Sequence, residues 1–273
     1  MQANPLNVLF KIKQNKRVIT LALKFITAVT VSWLLTSCVT EQQQLFSRKV
    51  DFDKALTNRV ELGLGYLQKG DIASAKRNMK RALELDPKSS EAHAGIAMVF
   101  QKDGEPDLAE EHYEKALSLA PKKTSIRDSY GEFLFQQNRF AEALTEYEKV
   151  VEDSLYEQRS RSFARIGMCY MALDKPQKAE ESFLQSTKMS GDKKSAAREL
   201  TKIYFNKEQY EKAKKYYDFY TKDEIKTAED LWMGLRLERM FGNTDAAESY
   251  ALALKNLYPY SQEYLDYKKM YNN

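Results

Sequence analysis

The sequence predicts an all-α fold, a solenoid of about six helix–turn–helix units. Small and aromatic residues recur with a 34-residue period, and a turn-forming residue stands midway through most periods. Asp86-Pro87 and Ala120-Pro121, 34 residues apart, close the first two periods with a helix-stopping proline. A period of that length decides architecture before local propensity does, because each unit cannot bury its apolar face alone and must stack on its neighbours.

The 273-residue chain opens with a segment of another kind. Residues 1–37 carry Lys11, Lys13, Lys16, Arg17 and Lys24 and no acidic residue. The apolar run from Phe25 to Leu35 follows. Eleven residues of helix cover about 16 Å, roughly half a hydrocarbon core, which suits the apolar region of a signal peptide better than a membrane span. Leu35-Thr36-Ser37-Cys38 resembles the bacterial lipobox. That resemblance implies acylation of the Cys38 thiol and cleavage before it, with residues 1–37 removed. An ordinary secretory signal, or an anchor helix extended back through Val18–Leu23, is the alternative. Residues 38–55 are then the lipidated cysteine and a short polar tether. No Asp follows Cys38, and among lipoproteins of this kind that favours the outer membrane over the inner.

The repeats follow in order, over about 56–89, 90–123, 124–157, 160–193, 194–226 and 227–259. The first has Leu62-Gly63, Tyr66, Gly70, Ala75, Met79, Ala82 and Pro87. The second has Ile96-Ala97, Phe100, Gly104, Ala109, Tyr113, Ala116 and Pro121, and the third Tyr130-Gly131, Leu134, Asn138, Ala143, Tyr147 and Val150. After a two-residue insertion come Ile166-Gly167, Tyr170, Asp174, Ala179, Phe183 and Ser186. The fifth has Leu200-Thr201, Tyr204, Glu208, Ala213, Tyr217 and Tyr220. In the sixth, Met233-Gly234, Leu237, Gly242, Ala247, Ala251, Leu254 and Pro259 imply an inter-helix turn one residue longer. Residues 260–273 form a C-terminal helix or tail. The pattern resembles the tetratricopeptide repeat over residues 56–259, which implies a right-handed superhelix. In this reading small residues such as Gly63 and Ala75 let paired helices approach, and the Tyr, Phe and Met columns fill the space between neighbouring pairs.

Composition excludes several functions. Once the five positive charges of residues 1–37 are set aside, 38 basic residues face 39 acidic ones. The repeats therefore have no basic excess to hold nucleic acid. The 17 Tyr and 13 Phe fall mostly in the repeat columns and read as core. Cys169, with Cys38 lipidated, reads as a buried thiol. His93 and His112, nineteen apart without Cys, Asp or Glu at metal-ligand spacing, read as surface or packing residues. No phosphate loop, nucleophile elbow or metal set stands out, so the expectation is a non-enzyme without cofactor, metal or small-molecule substrate.

Recognition then falls to the first helices, whose inward positions lie shortly after each Leu-Gly type pair. At those places stand Leu64 and Leu67, Met98 and Gln101, Glu132 and Phe135, Met168 and Met171, and Lys202 and Phe205. Leu64, Leu67, Met98, Phe135, Met168, Met171 and Phe205 would make an apolar, Met-containing groove for an amphipathic segment. Packing against facing helices is the alternative.

Two segments narrow the resemblance. One is Arg59-Val-Glu-Leu-Gly-Leu-Gly-Tyr-Leu-Gln-Lys-Gly-Asp71 with Ala75–Met79 and Ala82–Pro87; the other is Leu231–Arg239 with Gly242-Asn243, Ala246-Ala247, Ser249–Ala251 and Tyr258-Pro259. With the lipobox and six repeats, they resemble the type IV pilus biogenesis lipoproteins of the PilF/PilW type, from about Cys38 to Tyr264. The resemblance implies a pilotin, whose work is physical rather than chemical. Such a protein binds the pilus secretin, brings it to the outer membrane and promotes its multimerisation there. The folded part lies in the periplasm, monomeric apart from its partner. The third repeat departs from the family, with Glu132 and Phe135 where Asn and Cys are expected. A lipid-anchored scaffold for peptidoglycan hydrolases or synthases is the alternative function.

Overall fold

The computed structural model describes residues 51–222 and 226–271, and every regular element among them is an α-helix. The described residues divide into two compact units, one ending at Pro87 and the other beginning at Lys88. In the first, helix α1 (51–68) turns back into α2 (Ile72–Leu85). The second unit holds α3 (Ser90–Asp103), α4 (Pro106–Leu119), α5 (Thr124–Gln136), α6 (Phe140–Glu152), α7 (Arg159–Ala172) and α8 (Pro176–Lys188). It continues with α9 (Lys194–Asn206), α10 (Tyr210–Thr221), α11 (Ala228–Met240), α12 (Thr244–Leu257) and α13 (Gln262–Tyr271). Within it each odd-numbered helix from α3 to α11 pairs with the next, and successive hairpins pack in chain order. Cys38 and the leader lie outside the described residues. Residues 51–55, assigned to the tether from sequence, are helical in α1. No Gly or Pro interrupts 51–62, and the Thr57 hydroxyl donates back to the Asp53 carbonyl at 2.9 Å.

One device makes all six hairpins. Gly70, Gly104, Asn138, Asp174, Glu208 and Gly242 each take a left-handed conformation, with φ between 56° and 81°. The residue after each donates its backbone N–H five residues back. Asp71 bonds Tyr66 at 2.9 Å, Arg139 bonds Leu134 at 3.0 Å, and Lys175 bonds Tyr170 at 2.8 Å. That is the Schellman closure, which satisfies otherwise orphaned helix carbonyls while reversing the chain. The sixth hairpin closes the same way, Asn243 bonding Glu238 at 2.9 Å. Its turn is therefore no longer than the others; the extra residue after Gly234 sits inside α11.

Packing follows from the small residue on each first helix. A Cβ built on Gly167 would lie 2.5 Å from the Phe183 ring, and one on Gly63 would lie 2.7 Å from the Met79 methyl. The column residues thus lie across the glycine of their own hairpin, a contact within pairs as well as between them. Tyr113 also reaches forward to Tyr130 and Phe133, with ring centroids 5.6 and 5.5 Å away. The two-residue insertion falls in the loop between α6 and α7, where Leu155 is 89% exposed.

Among the described residues, every buried side-chain nitrogen and oxygen has a hydrogen-bond partner. Asp230, 2% exposed at the start of α11, accepts from the Tyr220 hydroxyl at 2.9 Å and from the Thr227 hydroxyl and backbone N–H at 2.8 and 3.0 Å. Thr227 caps α11 in return, completing a capping box.

Candidate partner-binding face

The seven residues read as a groove divide between the two units. In the first, Leu64 and Leu67 are half-buried on α1. The open side of that helix is a different one, a cleft lined by Asn58, Glu61, Leu62, Gly65, Tyr66 and Lys69. These residues recur every three or four positions and so share one face. Leu62 is 49% and Tyr66 37% exposed there.

In the second unit, Met98, Phe135 and Met168 are half-buried, Met171 is 42% exposed and Phe205 only 7%. Their surroundings are more polar than the sequence reading expected. The Arg165 guanidinium stands 5.1 Å from the centre of the Phe135 ring, and Phe140 meets the same ring edge-on at 5.3 Å. Arg236 covers Phe205 at 4.1 Å and reaches Trp232 at 5.7 Å. Both aromatic residues therefore present guanidinium groups rather than bare rings.

Glu132, in the third repeat, organises the middle of this face. Its carboxylate accepts from Arg165 Nε at 2.8 Å, Arg165 Nη2 at 2.9 Å, the Tyr147 hydroxyl at 3.2 Å and Gln136 at 3.1 Å. Arg161 adds a charge at 3.5 Å. Burial first, and Glu132 second, push the Tyr147 hydroxyl well above the ordinary phenol range, so it stays a donor. Beside this network Gln101 accepts from Tyr113 at 2.9 Å and donates to Gln136 at 2.9 Å. Further along, Lys202 bridges Glu199 at 3.1 Å and Glu229 at 2.8 Å. The face thus combines methionine contact area with paired charges and Arg-capped aromatics, means of gripping a polypeptide by both apolar contact and hydrogen bonds.

Sequence reasoning missed Arg165 and Arg236, because each comes from the repeat after the phenylalanine it covers, and with Arg236 it missed Trp232 on the same helix. It also missed that His93 and His112 meet, with Nδ1 atoms 2.9 Å apart. The signal was available in the period. Arg59 and Asn78 bond at 3.4 Å, and Arg127 pairs with Glu146. Those pairs have the same nineteen-residue offset as the histidines and stand one 34-residue period before and after them. Cys169 is buried, and burial pushes its thiol up to about 12. Such a thiol is unreactive at neutral pH.

Comparisons with known proteins agree with this architecture. Models of the tetratricopeptide repeat match residues 60–124 and 160–193, and a model of YpiA-like tetratricopeptide repeats matches 101–155. The type IV pilus assembly protein PilF of Pseudomonas aeruginosa is 39% identical over 249 residues, covering 90% of this chain and 97% of that protein. A solved structure of Pseudomonas aeruginosa PilF superposes with a TM-score of 0.77 at 38% identity, over 80% of this chain and 99% of that one. PilW, described as a widely conserved type IV pilus biogenesis factor, superposes with a TM-score of 0.67 at 27% identity, over 77% and 97% of the two chains. Identity of that level, running through all the helical hairpins, is more than a shared repeat produces: the chain belongs to the PilF family of tetratricopeptide-repeat type IV pilus assembly proteins.

Proposed function

We propose that this protein is an outer-membrane lipoprotein that acts as a pilotin: it binds the secretin subunit of the pilus machine and promotes its outer-membrane placement and multimerisation. The observation that carries the reading is the 39% identity to PilF across 97% of that protein. The lipobox at Leu35–Cys38 supports the lipid anchor, since several acyl chains on one cysteine hold a protein stably at a membrane. The face around Met98, Phe135, Met168 and Met171 supports capture of an amphipathic segment. The work is physical. Tethering at one membrane raises the local concentration of captured subunits, which favours ring assembly without any covalent step.

The test is co-purification of the secretin from envelope extracts after crosslinking. Met98→Glu places a carboxylate at a half-buried position of the binding face, and is expected to lower secretin recovery about tenfold or more while circular dichroism stays helical. Undiminished recovery with an intact fold would remove this face from the proposal.

A further inference from the structure

Arginines recur along the first helices of the second unit, and several of them meet carboxylates. Arg161 and Arg165 on α7 share Glu132, and Arg198 on α9 reaches Asp230 at 3.3 Å. Arg236 and Arg239 on α11 differ. Among the described residues neither meets a carboxylate, and both rest on rings instead. Arg236 lies 4.1 Å from the centre of Phe205 and 5.7 Å from that of Trp232, and Arg239 lies 3.7 Å from that of Tyr271. Trp232 and Tyr271 in turn meet edge to face, with centroids 6.4 Å apart. The acidic residues of α11 are already engaged. Glu229 takes Lys202 at 2.8 Å, Asp230 takes Arg198 and the Tyr220 hydroxyl, and Glu238 takes Lys214 at 3.2 Å and Asn243 at 2.7 Å. Arg236 is half-buried and Arg239 exposed, so α11 presents two positive charges that its own carboxylates do not balance.

We infer that Arg236 and Arg239, with Trp232 beside them, dock a segment of a polypeptide partner that carries both acidic and aromatic side chains. The argument is charge complementarity. Residues three apart on a helix are neighbours, about 5–6 Å between Cβ atoms, so the two guanidiniums serve adjacent side chains of one bound segment. A guanidinium resting on a ring has already given up rotamer freedom, and its planar N–H donors remain for a bidentate carboxylate. Phe205 and Tyr271 thus hold the two charges in place. Trp232 is half-buried and leaves apolar area for an aromatic neighbour, which keeps water from the ion pairs. Trp, Tyr and Arg together are the residues that anchor polypeptide interfaces, and this favours a polypeptide over a lipid headgroup. Through Phe205 the patch continues the face already assigned to the secretin. The inference rests on that reading where it assigns the acidic segment to the secretin.

The test uses the full chain, purified in detergent, and three probes: a short labelled peptide of Glu, Phe and Ser, the same peptide with Gln for Glu, and phosphatidylglycerol vesicles. Peptide binding is read by fluorescence anisotropy, and secretin recovery by crosslinking and co-purification. The wild type is expected to bind the Glu peptide about tenfold or more tightly than the Gln peptide, and less tightly as salt rises. Arg236→Gln and Arg239→Gln should each weaken that binding about tenfold with unchanged circular dichroism. Arg236→Lys should restore little of it, because an ammonium makes no bidentate pair. Equal affinity of the wild type for the two peptides would overturn the inference, as would no binding below about 1 mM or tighter arginine-dependent binding to the vesicles. Secretin recovery lost in Met98→Glu but kept in the double variant Arg236→Glu, Arg239→Glu would also overturn it, with the pilotin reading left standing. Secretin absent from the wild-type co-purification, with the Glu peptide still bound through both arginines, would overturn the pilotin reading and keep the docking point. The two peptides on the wild type decide the matter even where a variant folds poorly.

Discussion

Gly167 leaves no room for a methyl group, because a Cβ there would sit 2.5 Å from the fully buried Phe183 ring. Interiors are packed densely enough that such a conflict moves side chain and backbone together. Gly167→Ala is expected to cost about 1–3 kcal/mol in denaturant unfolding, and a loss under about 0.5 kcal/mol would show that the ring yields freely. Asp128 offers a second residue-scale case. Burial raises its carboxyl above the ordinary Asp range, against the bonds from Ser162 at 2.8 Å and Tyr156 that lower it. The folded chain therefore holds a proton that the unfolded chain has released, and stability falls as pH rises through that window, upward from the ordinary Asp value. Asp128→Asn keeps an acceptor for the Ser162 hydroxyl and removes the ionisation. Its melting temperature should vary less with pH across the window and match or exceed wild type at pH 7. A greater loss at pH 7 than at pH 4 would contradict this.

At the scale of the helical hairpin, the turn carries the specification. Three hairpins have glycine at the left-handed position, whereas Asn138, Asp174 and Glu208 hold it at φ near 56–59° with a Cβ in place. Asn and Asp tolerate that region; Glu gains nothing from it. Glu208→Gly removes about 1–2 kcal/mol of steric cost and adds about 0.5–1 kcal/mol of backbone entropy, so it should stabilise by about 0.5–1 kcal/mol. A lowered melting temperature would mean that the Glu208 side chain contributes more than its backbone costs. The turn column was legible in sequence because the same offset recurs from copy to copy, and even Glu208 was placed by its neighbours. The extra residue of the sixth copy was assigned to its turn, since spacing alone does not say where in a hairpin a residue is absorbed. The cross-hairpin rung went unread for a related reason. Arg59 with Asn78, His93 with His112, and Arg127 with Glu146 share a position, but the partner on the second helix is an amide, an imidazole and a carboxylate in turn.

For the whole molecule, the period was enough to give the fold class, because the same column positions recur and three copies close on one contact, Met79, Tyr147 and Phe183 lying over Gly63, Gly131 and Gly167. The binding face was less legible. Repeat register puts Phe135 and Phe205 on first helices, but what each presents depends on Arg165 and Arg236 from the following repeat. Glu132 likewise draws two arginines from α7 into the middle of the face. The proposed function joins family membership to the lipobox-like segment: a lipid on Cys38 would carry a secretin-binding repeat protein to the outer membrane. Cys38→Ala, expressed as the sole copy, tests that claim most directly. Detergent-resistant secretin multimers are measured in the outer-membrane fraction by immunoblot, alongside circular dichroism of the purified variant. The expected result is an intact helical fold with multimers lost from that fraction. Wild-type levels of outer-membrane multimers would contradict it.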